Sequence, residues 1–342
     1  MGATGERGQL VDVAGNAMQA EELALLTATL DQLARTHDGP ELTKALDDFG
    51  FPEVLATSPR EAVAALFTAM GQANATSAAL QDVLVAALQL PMPATPSIVL
   101  PPIGAATAGR VDADSLTLRG LLLGQRTEVG TLLVPVDSRD GIVWVRLTSD
   151  WPAGQLAIRS VTGLDPALLL AEVTATGTAD VVLAGPSADT AWRAVVAAGR
   201  RALAYQILGT VTTMLDLAVA HARDRVQFGQ PIGAFQAVRH RLADAYVARE
   251  AAAAALDICW QADDEELAAM LAKSLAGRAA RIAATQCQQV LGGIGFTAEH
   301  SFHHYLARAL VLDKLLGSAT DLPAQIGARL ASAGALPRLA DL

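Results

Sequence analysis

The 342-residue sequence contains only two cysteines, Cys259 and Cys287, and aromatic residues make up 4% of it. Two cysteines exclude a disulfide framework and, with nothing to pair them, predict reduced thiols and a cytoplasmic setting. The shortage of aromatics leaves a 52% apolar fraction to come mainly from Ala, Leu and Val, which favours closely packed amphipathic helices. Basic charge is scarce as well: 25 Lys and Arg stand against 35 Asp and Glu, for a net charge of -10. That balance excludes a broad basic surface for nucleic acid but leaves room for a local phosphate pocket. No uninterrupted apolar run of about 18 residues occurs. The N-terminal stretch holding Glu6, Arg7, Asp12 and Glu21 has no apolar segment of signal-peptide length. The mean hydropathy of +0.33 therefore predicts a protein with buried helices and a subunit interface, and no membrane partner.

The pattern divides the chain into three parts, 1–95, 96–189 and 190–342. Glu21 to Ala34 and Arg60 to Met70 carry apolar residues at three- and four-residue spacing, interrupted by Pro40 and the Gly50-Phe-Pro52 step. Three prolines between Leu90 and Pro96 end this helical region. From Ser97 to Ala184 short Val/Leu/Ile runs alternate with Gly and Asp turns, which predicts a small antiparallel β-domain closed by Asp180–Ala184. Four helical segments follow, about 190–223, 235–260, 265–291 and 300–316. The fold class is α+β: a helical region, a middle β-domain and a C-terminal four-helix bundle.

Two segments carry chemistry. Arg225-Val-Gln-Phe-Gly-Gln-Pro-Ile232 ends a long helix, since Gly229 admits unusual dihedrals and Pro231 cannot continue it. Arg225 could pair bidentately with a pyrophosphate, and Phe228 could wall a planar cofactor; the competing reading is an ordinary helix connection with a solvated arginine. Gln289-Val-Leu-Gly-Gly-Ile-Gly-Phe-Thr-Ala-Glu299 contains a glycine run that follows an Ala-rich helix, not a strand, so it is no dinucleotide-binding turn. Its use is close approach of a phosphate-bearing ligand, or else a plain helix cap. Glu299, His300, His303 and His304 have metal-ligand spacing, with His300 and His304 on one helix face, but a structural role is favoured over a metal.

Together these segments resemble the C-terminal half of the acyl-CoA dehydrogenases. Phe235-Gln-Ala-Val-Arg-His-Arg-Leu-Ala-Asp244 extends the likeness. By that resemblance Arg225, Phe228, Gln236, Gln289 and Gly293 fall on FAD-contacting positions, commonly facing the flavin held mainly by a partner subunit. Arg200 matches an arginine beside the active site, with a solvated helix residue as the alternative.

The family's reaction needs a carboxylate to take the α-proton while a hydride leaves the β-carbon for the flavin. Its two usual positions fall here on Leu316 and Gly199, neither of which can accept a proton. Asp313 is a weak substitute, and Glu250 and Asp257 read as ordinary helix charges. Leu100-Pro-Pro-Ile-Gly104 stands where the family has a Thr-Glu-Pro-like segment, without its Thr and Glu. The N-terminal region also looks shortened.

Flavin contacts kept and own-site residues lost resemble the smaller subunit of actinobacterial heterotetrameric acyl-CoA dehydrogenases for steroid side chains. The resemblance implies FAD, an acyl-CoA substrate, an electron-transfer acceptor and an unlike dehydrogenase subunit that supplies the base. The alternatives are a self-sufficient homomer using Asp313, a flavin-free scaffold, and an oxygen-using oxidase.

Overall fold

The computed structural model describes residues 18–90, 96–124, 130–297 and 299–333. The signal-peptide reading of the N-terminal stretch and the proline step at 91–95 thus lie largely outside the described residues. Five helices open the fold: α1 (Ala20–Thr36), α2 (Gly39–Phe49), α3 (Phe51–Thr57), α4 (Pro59–Ala73) and α5 (Ala79–Leu88). Pro40 and Pro52 do break the helical pattern, but by occupying the first turns of α2 and α3, where no backbone N–H is needed.

The middle of the chain forms β1 (Ser97–Ile98), β2 (Gly109–Asp112), β3 (Ser115–Leu123), β4 (Leu132–Ser138), β5 (Gly141–Leu147), β6 (Leu156–Ser160), β7 (Leu170–Thr178) and β8 (Val181–Leu183). Their order is β6-β7-β3-β2-β4-β5-β8, with β1 beside β4. The expectation of an antiparallel domain needs one correction, because the sheet is mixed. β4 runs parallel to β1 and to β2, since the chain leaving β3 returns to the far side of β2 before pairing again. Strand β3 shows why its sequence makes a strand: Leu116, Leu118 and Gly120 are buried while Ser115, Thr117 and Arg119 are exposed.

The 39-residue α6 (Pro186–Asp224) follows. It is long and apolar enough by composition to cross a membrane, yet 67% of its most apolar window is buried inside the protein. A tight hairpin of β9 (Val226–Gln227) and β10 (Gln230–Pro231) leads to α7 (Gln236–Cys259), α8 (Glu265–Leu291), α9 (Phe302–Lys314) and α10 (Leu322–Ala333). The four expected helices are present, and α10 adds a fifth, seated on α8 through Leu322, Ile326 and Leu330.

One apolar core runs from Leu26 in α1 through α6 to Leu315. Helices α4 and α6 meet where both carry glycine. A Cβ on Gly71 would stand 2.1 Å from the Gln206 carbonyl oxygen, and one on Gly209 would stand 2.2 Å from that of Thr68. The sheet is fastened to the helices by polar contacts. Trp144 Nε1 donates to Ala188 O at 3.2 Å, and Ile98 N donates to Gln81 Oε1 at 2.7 Å. Buried Arg308 of α9 pairs with Asp165 of the sheet region and donates to Ala75 O at 2.8 Å, so three parts of the chain converge on one guanidinium.

Lys273 fastens α8 to the loop after α9. Its fully buried Nζ donates to Asp313 O at 2.9 Å and Gly317 O at 3.1 Å. Burial lowers this amine to about 7, with nearby Asp313 opposing the shift. Between pH 7 and the ordinary lysine value of 10.5, the unfolded chain therefore binds a proton that the folded chain does not. Stability should rise with pH across that window, and denaturant midpoints at two pH values within it should show a smaller rise for Lys273→Met. Gly71→Ala should lower stability by about 3 kcal/mol in the same assay, since backbone and not a flexible side chain blocks the new methyl.

Candidate functional site

The expected site residues separate into an outer and an inner set. The outer set lies at the end of α6, the start of α7 and the end of α8. Arg225 caps α6 by donating its backbone N to His221 O at 2.9 Å and accepts from Ile232 N at 2.8 Å across the hairpin, while its exposed side chain makes no hydrogen bond or ion pair among the described residues. Phe228 and Gly229 form the hairpin turn, with φ of 55° and 80°. A left-handed phenylalanine costs about 1–2 kcal/mol, and this one is 92% exposed. The fold spends strain to hold an aromatic ring out of the protein, steadied only by an edge contact to Phe235 at 6.1 Å.

Gln236 opens α7 and Gln289 lies in the last turn of α8, both exposed. The glycine run forms a 3-10 turn at Gly292–Phe296. Gly292 needs its glycine for a φ of 61°, and a Cβ on Gly295 would stand 2.5 Å from Gln288 Nε2, so that flexible side chain would have to move. Gly293 needs it for neither reason: nothing lies within 4 Å of where its Cβ would be. Phe296 and Ile294 project beside it, 78% and 43% exposed. Apolar residues interleaved with turn glycines are the sequence signal that marks these two. An unpaired cation, a projecting ring, the N-terminal amides of α7 and an open glycine make a donor set that fits a flat, anionic cofactor such as FAD lying against this surface.

The inner set lies elsewhere. Gly199 and Arg200 sit mid-way along α6, and Leu316 follows α9 with a φ of 56°. Leu316 Cδ1 would stand 2.5 Å from a Cβ on Gly199, and Leu84 Cδ2 2.9 Å from it. The two positions where the family's base is expected therefore face each other, and hydrocarbon fills the space between them. Arg200 is 8% exposed, not a solvated helix residue, and donates Nε to Leu316 O at 2.9 Å. Burial lowers it to about 10, which Glu266 partly offsets, so it remains a cation at neutral pH.

Arg200 and Leu316 border a cavity of about 670 Å³ between α6, α8, α10 and the turn after β1. Pro101 and Gly104 of Leu100–Gly104 line it, with no hydroxyl or carboxylate. Trp192, Met270, Glu266 and Arg329 also line it and were not foreseen from the sequence. Lys273 behind it was missed too, although one lysine among Ala269, Ala276 and Gly277 on an apolar helix face marks a buried amine.

Asp313 does not take over the base position. It is 3% exposed, accepts from Ala319 N at 2.9 Å, and reaches toward Gly277 of α8, outside the cavity lining. Asp257 pairs with Arg60 at 3.6 Å and Glu250 with Arg249. His300 and His304 do not share a helix face, because α9 begins at Phe302 and His300 Nδ1 accepts from Phe302 N at 3.2 Å as a cap. His303 and His304 stack at 3.9 Å. Cys259 and Cys287 are separately buried, and burial raises Cys287 to about 12.

Residues 190–331 match the acyl-CoA dehydrogenase C-terminal domain. The chain is 31% identical over 315 residues to Acyl-CoA dehydrogenase IpdE2 of Mycobacterium tuberculosis, spanning 88% of this chain and 95% of that protein. It is 35% identical over 196 residues to Acyl-CoA dehydrogenase FadE34 of the same organism, a match that takes in 56% of this chain but only 26% of that protein. Among solved structures, the Tcur3481-Tcur3483 steroid ACAD variant has a TM-score of 0.75 at 22% identity, over 92% of this chain and 99% of that one. The ChsE4-ChsE5 complex from Mycobacterium tuberculosis gives 0.73 at 22%, over 92% and 98%. With a relative this similar along nearly the whole of both chains, and the same order of helices, sheet and bundle, the chain belongs to the acyl-CoA dehydrogenase family, flavoprotein oxidoreductases acting on acyl-CoA thioesters.

Proposed function

We propose that this chain is the base-lacking subunit of an FAD-dependent acyl-CoA dehydrogenase, working with an unlike partner that supplies the carboxylate. The observation that carries this reading is the contrast between the two sets. Where the family base would stand, Leu316 packs on Gly199, while the expected flavin-contacting side chains Arg225, Phe228, Gln236 and Gln289 all face outward.

In such a complex Arg225 would pair with the pyrophosphate, Phe228 would flank the planar ring, and Gln236 and Gln289 would offer hydrogen bonds. Gly293 would let the adenosine diphosphate part approach the backbone. FAD, when bound, would accept the hydride that leaves the acyl β-carbon, and an electron-transfer acceptor would reoxidise it. The exposed Val226, Tyr246 and Val247 extend an apolar surface across the hairpin and α7, and α7 buries only the stripe Ala245, Ala252, Leu256 and Cys259. A helix so one-sided is suited to a subunit interface.

Both structural neighbours named above carry paired names, one a steroid ACAD and the other a complex. That supports a heteromer here and a steroid side-chain CoA thioester as substrate. A homomer using Asp313 is disfavoured by the carboxylate's engagement with Ala319 N and its place outside the cavity lining.

Co-expressed with acyl-CoA dehydrogenases encoded beside its gene, the chain should form a complex whose flavin is held about 10-fold or more weakly after Arg225→Ala, the size expected for losing a charge-assisted hydrogen bond. Unchanged flavin content would favour the scaffold reading. Asp313→Asn keeps an oxygen for Ala319 N and should leave turnover within about twofold, whereas abolished turnover in a folded variant would restore Asp313 as base.

A further inference from the structure

The cavity bordered by Arg200 is not accounted for by the function proposed above, in which this chain contributes an outer surface. Arg200 is 92% withdrawn from solvent by its 8% exposure, yet only its Nε has a partner, Leu316 O. Its two terminal amino groups make no hydrogen bond or ion pair among the described residues, and the residue lines the cavity. Glu266 lies within electrostatic reach of this guanidinium, and its terminal fork opens onto the cavity, where it matches a carboxylate bidentately.

The surrounding walls are Trp192, Val196, Met270 and Leu316, which suit an apolar body. The two acids in the lining are engaged: Glu266 accepts from Arg329 at 2.7 Å, and Asp321 accepts from Ser318 Oγ at 2.5 Å. At about 670 Å³ the volume lies within the usual range for small-molecule sites.

We infer that this cavity is a non-catalytic binding site for a free apolar monocarboxylate, held by the Arg200 fork with its hydrocarbon against Trp192, Met270 and Leu316. The carboxylate displaces water from the guanidinium, and no bond is made or broken. A ligand here bridges α6, the loop after α9 and the turn at Pro101, so it would stiffen the contacts between sheet and bundle. The inference does not depend on the heteromeric reading, because every residue it uses belongs to this chain.

The test is isothermal titration of the full-length protein, in its native complex where one forms, with decanoate and with the neutral decanamide. Decanoate should bind at one site per copy of this chain, about 10-fold or more tighter than decanamide, the contribution of a buried charge-assisted pair. Arg200→Met should weaken decanoate by a similar factor. Ala106→Trp, on the exposed loop that forms one wall, should weaken it by filling the cavity without touching the Arg200–Leu316 bond. Absence of saturable binding, equal binding of the two probes, or binding unchanged in Ala106→Trp would overturn the inference. None of these readouts depends on flavin or turnover, so failure here and failure of the subunit assignment are separable.

Discussion

The structure is organised around α6, a helix that has no solvent side for much of its length. The opening helices pack on one face of it, α7, α8 and α9 on others, and the sheet is fastened near its start through Trp144 and Asp189. A helix in that position must offer small residues wherever a neighbour comes close. Gly209 does so against α4, and Gly199 does so against Leu316. The same demand for close packing that stabilises the core also determines what can stand at the base position. A glutamate on Gly199 would have to displace both Leu316 and Leu84.

From that constraint follows the division of the molecule into a closely packed interior, opened at the Arg200 cavity, and a furnished exterior. Inside, the Arg200–Leu316 bond and the Lys273 bonds to Asp313 and Gly317 fix the loop after α9. That loop therefore holds leucine against glycine at the two positions where the family's base is expected. Outside, the chain maintains a left-handed Phe228, an unpaired Arg225 and an open Gly293. None of these three improves the packing of the chain itself. Under the function proposed above, this is the surface that would meet FAD from outside.

Much of this was legible in the sequence, for physical reasons that differ by element. Helical period marked α6 to α9 because each buries an Ala/Leu stripe, and alternation marked β3 because one of its faces is covered. The Arg225–Ile232 and Gln289–Glu299 segments were recognisable because turn glycines and a cation at fixed spacing are rare by chance. What stayed hidden depends on pairings between distant segments. The sequence cannot reveal that Gly199 and Leu316 touch, that Gly71 meets Gln206, or that Arg200 is buried. The parallel placement of β4 depends on a chain path that alternation does not encode. His300 reads as helical by spacing but serves as a cap, because α9 begins two residues later. Leu322, Ile326 and Leu330 carried the period that would have shown α10.

The central claim is that one catalytic site is shared between this chain and an unlike one. Native mass spectrometry with flavin quantitation, on the chain alone and co-expressed with neighbouring dehydrogenases, tests it most directly. The account predicts an active complex of unlike chains with one FAD for each pair. An active assembly of this chain alone, carrying one FAD per copy, would contradict it.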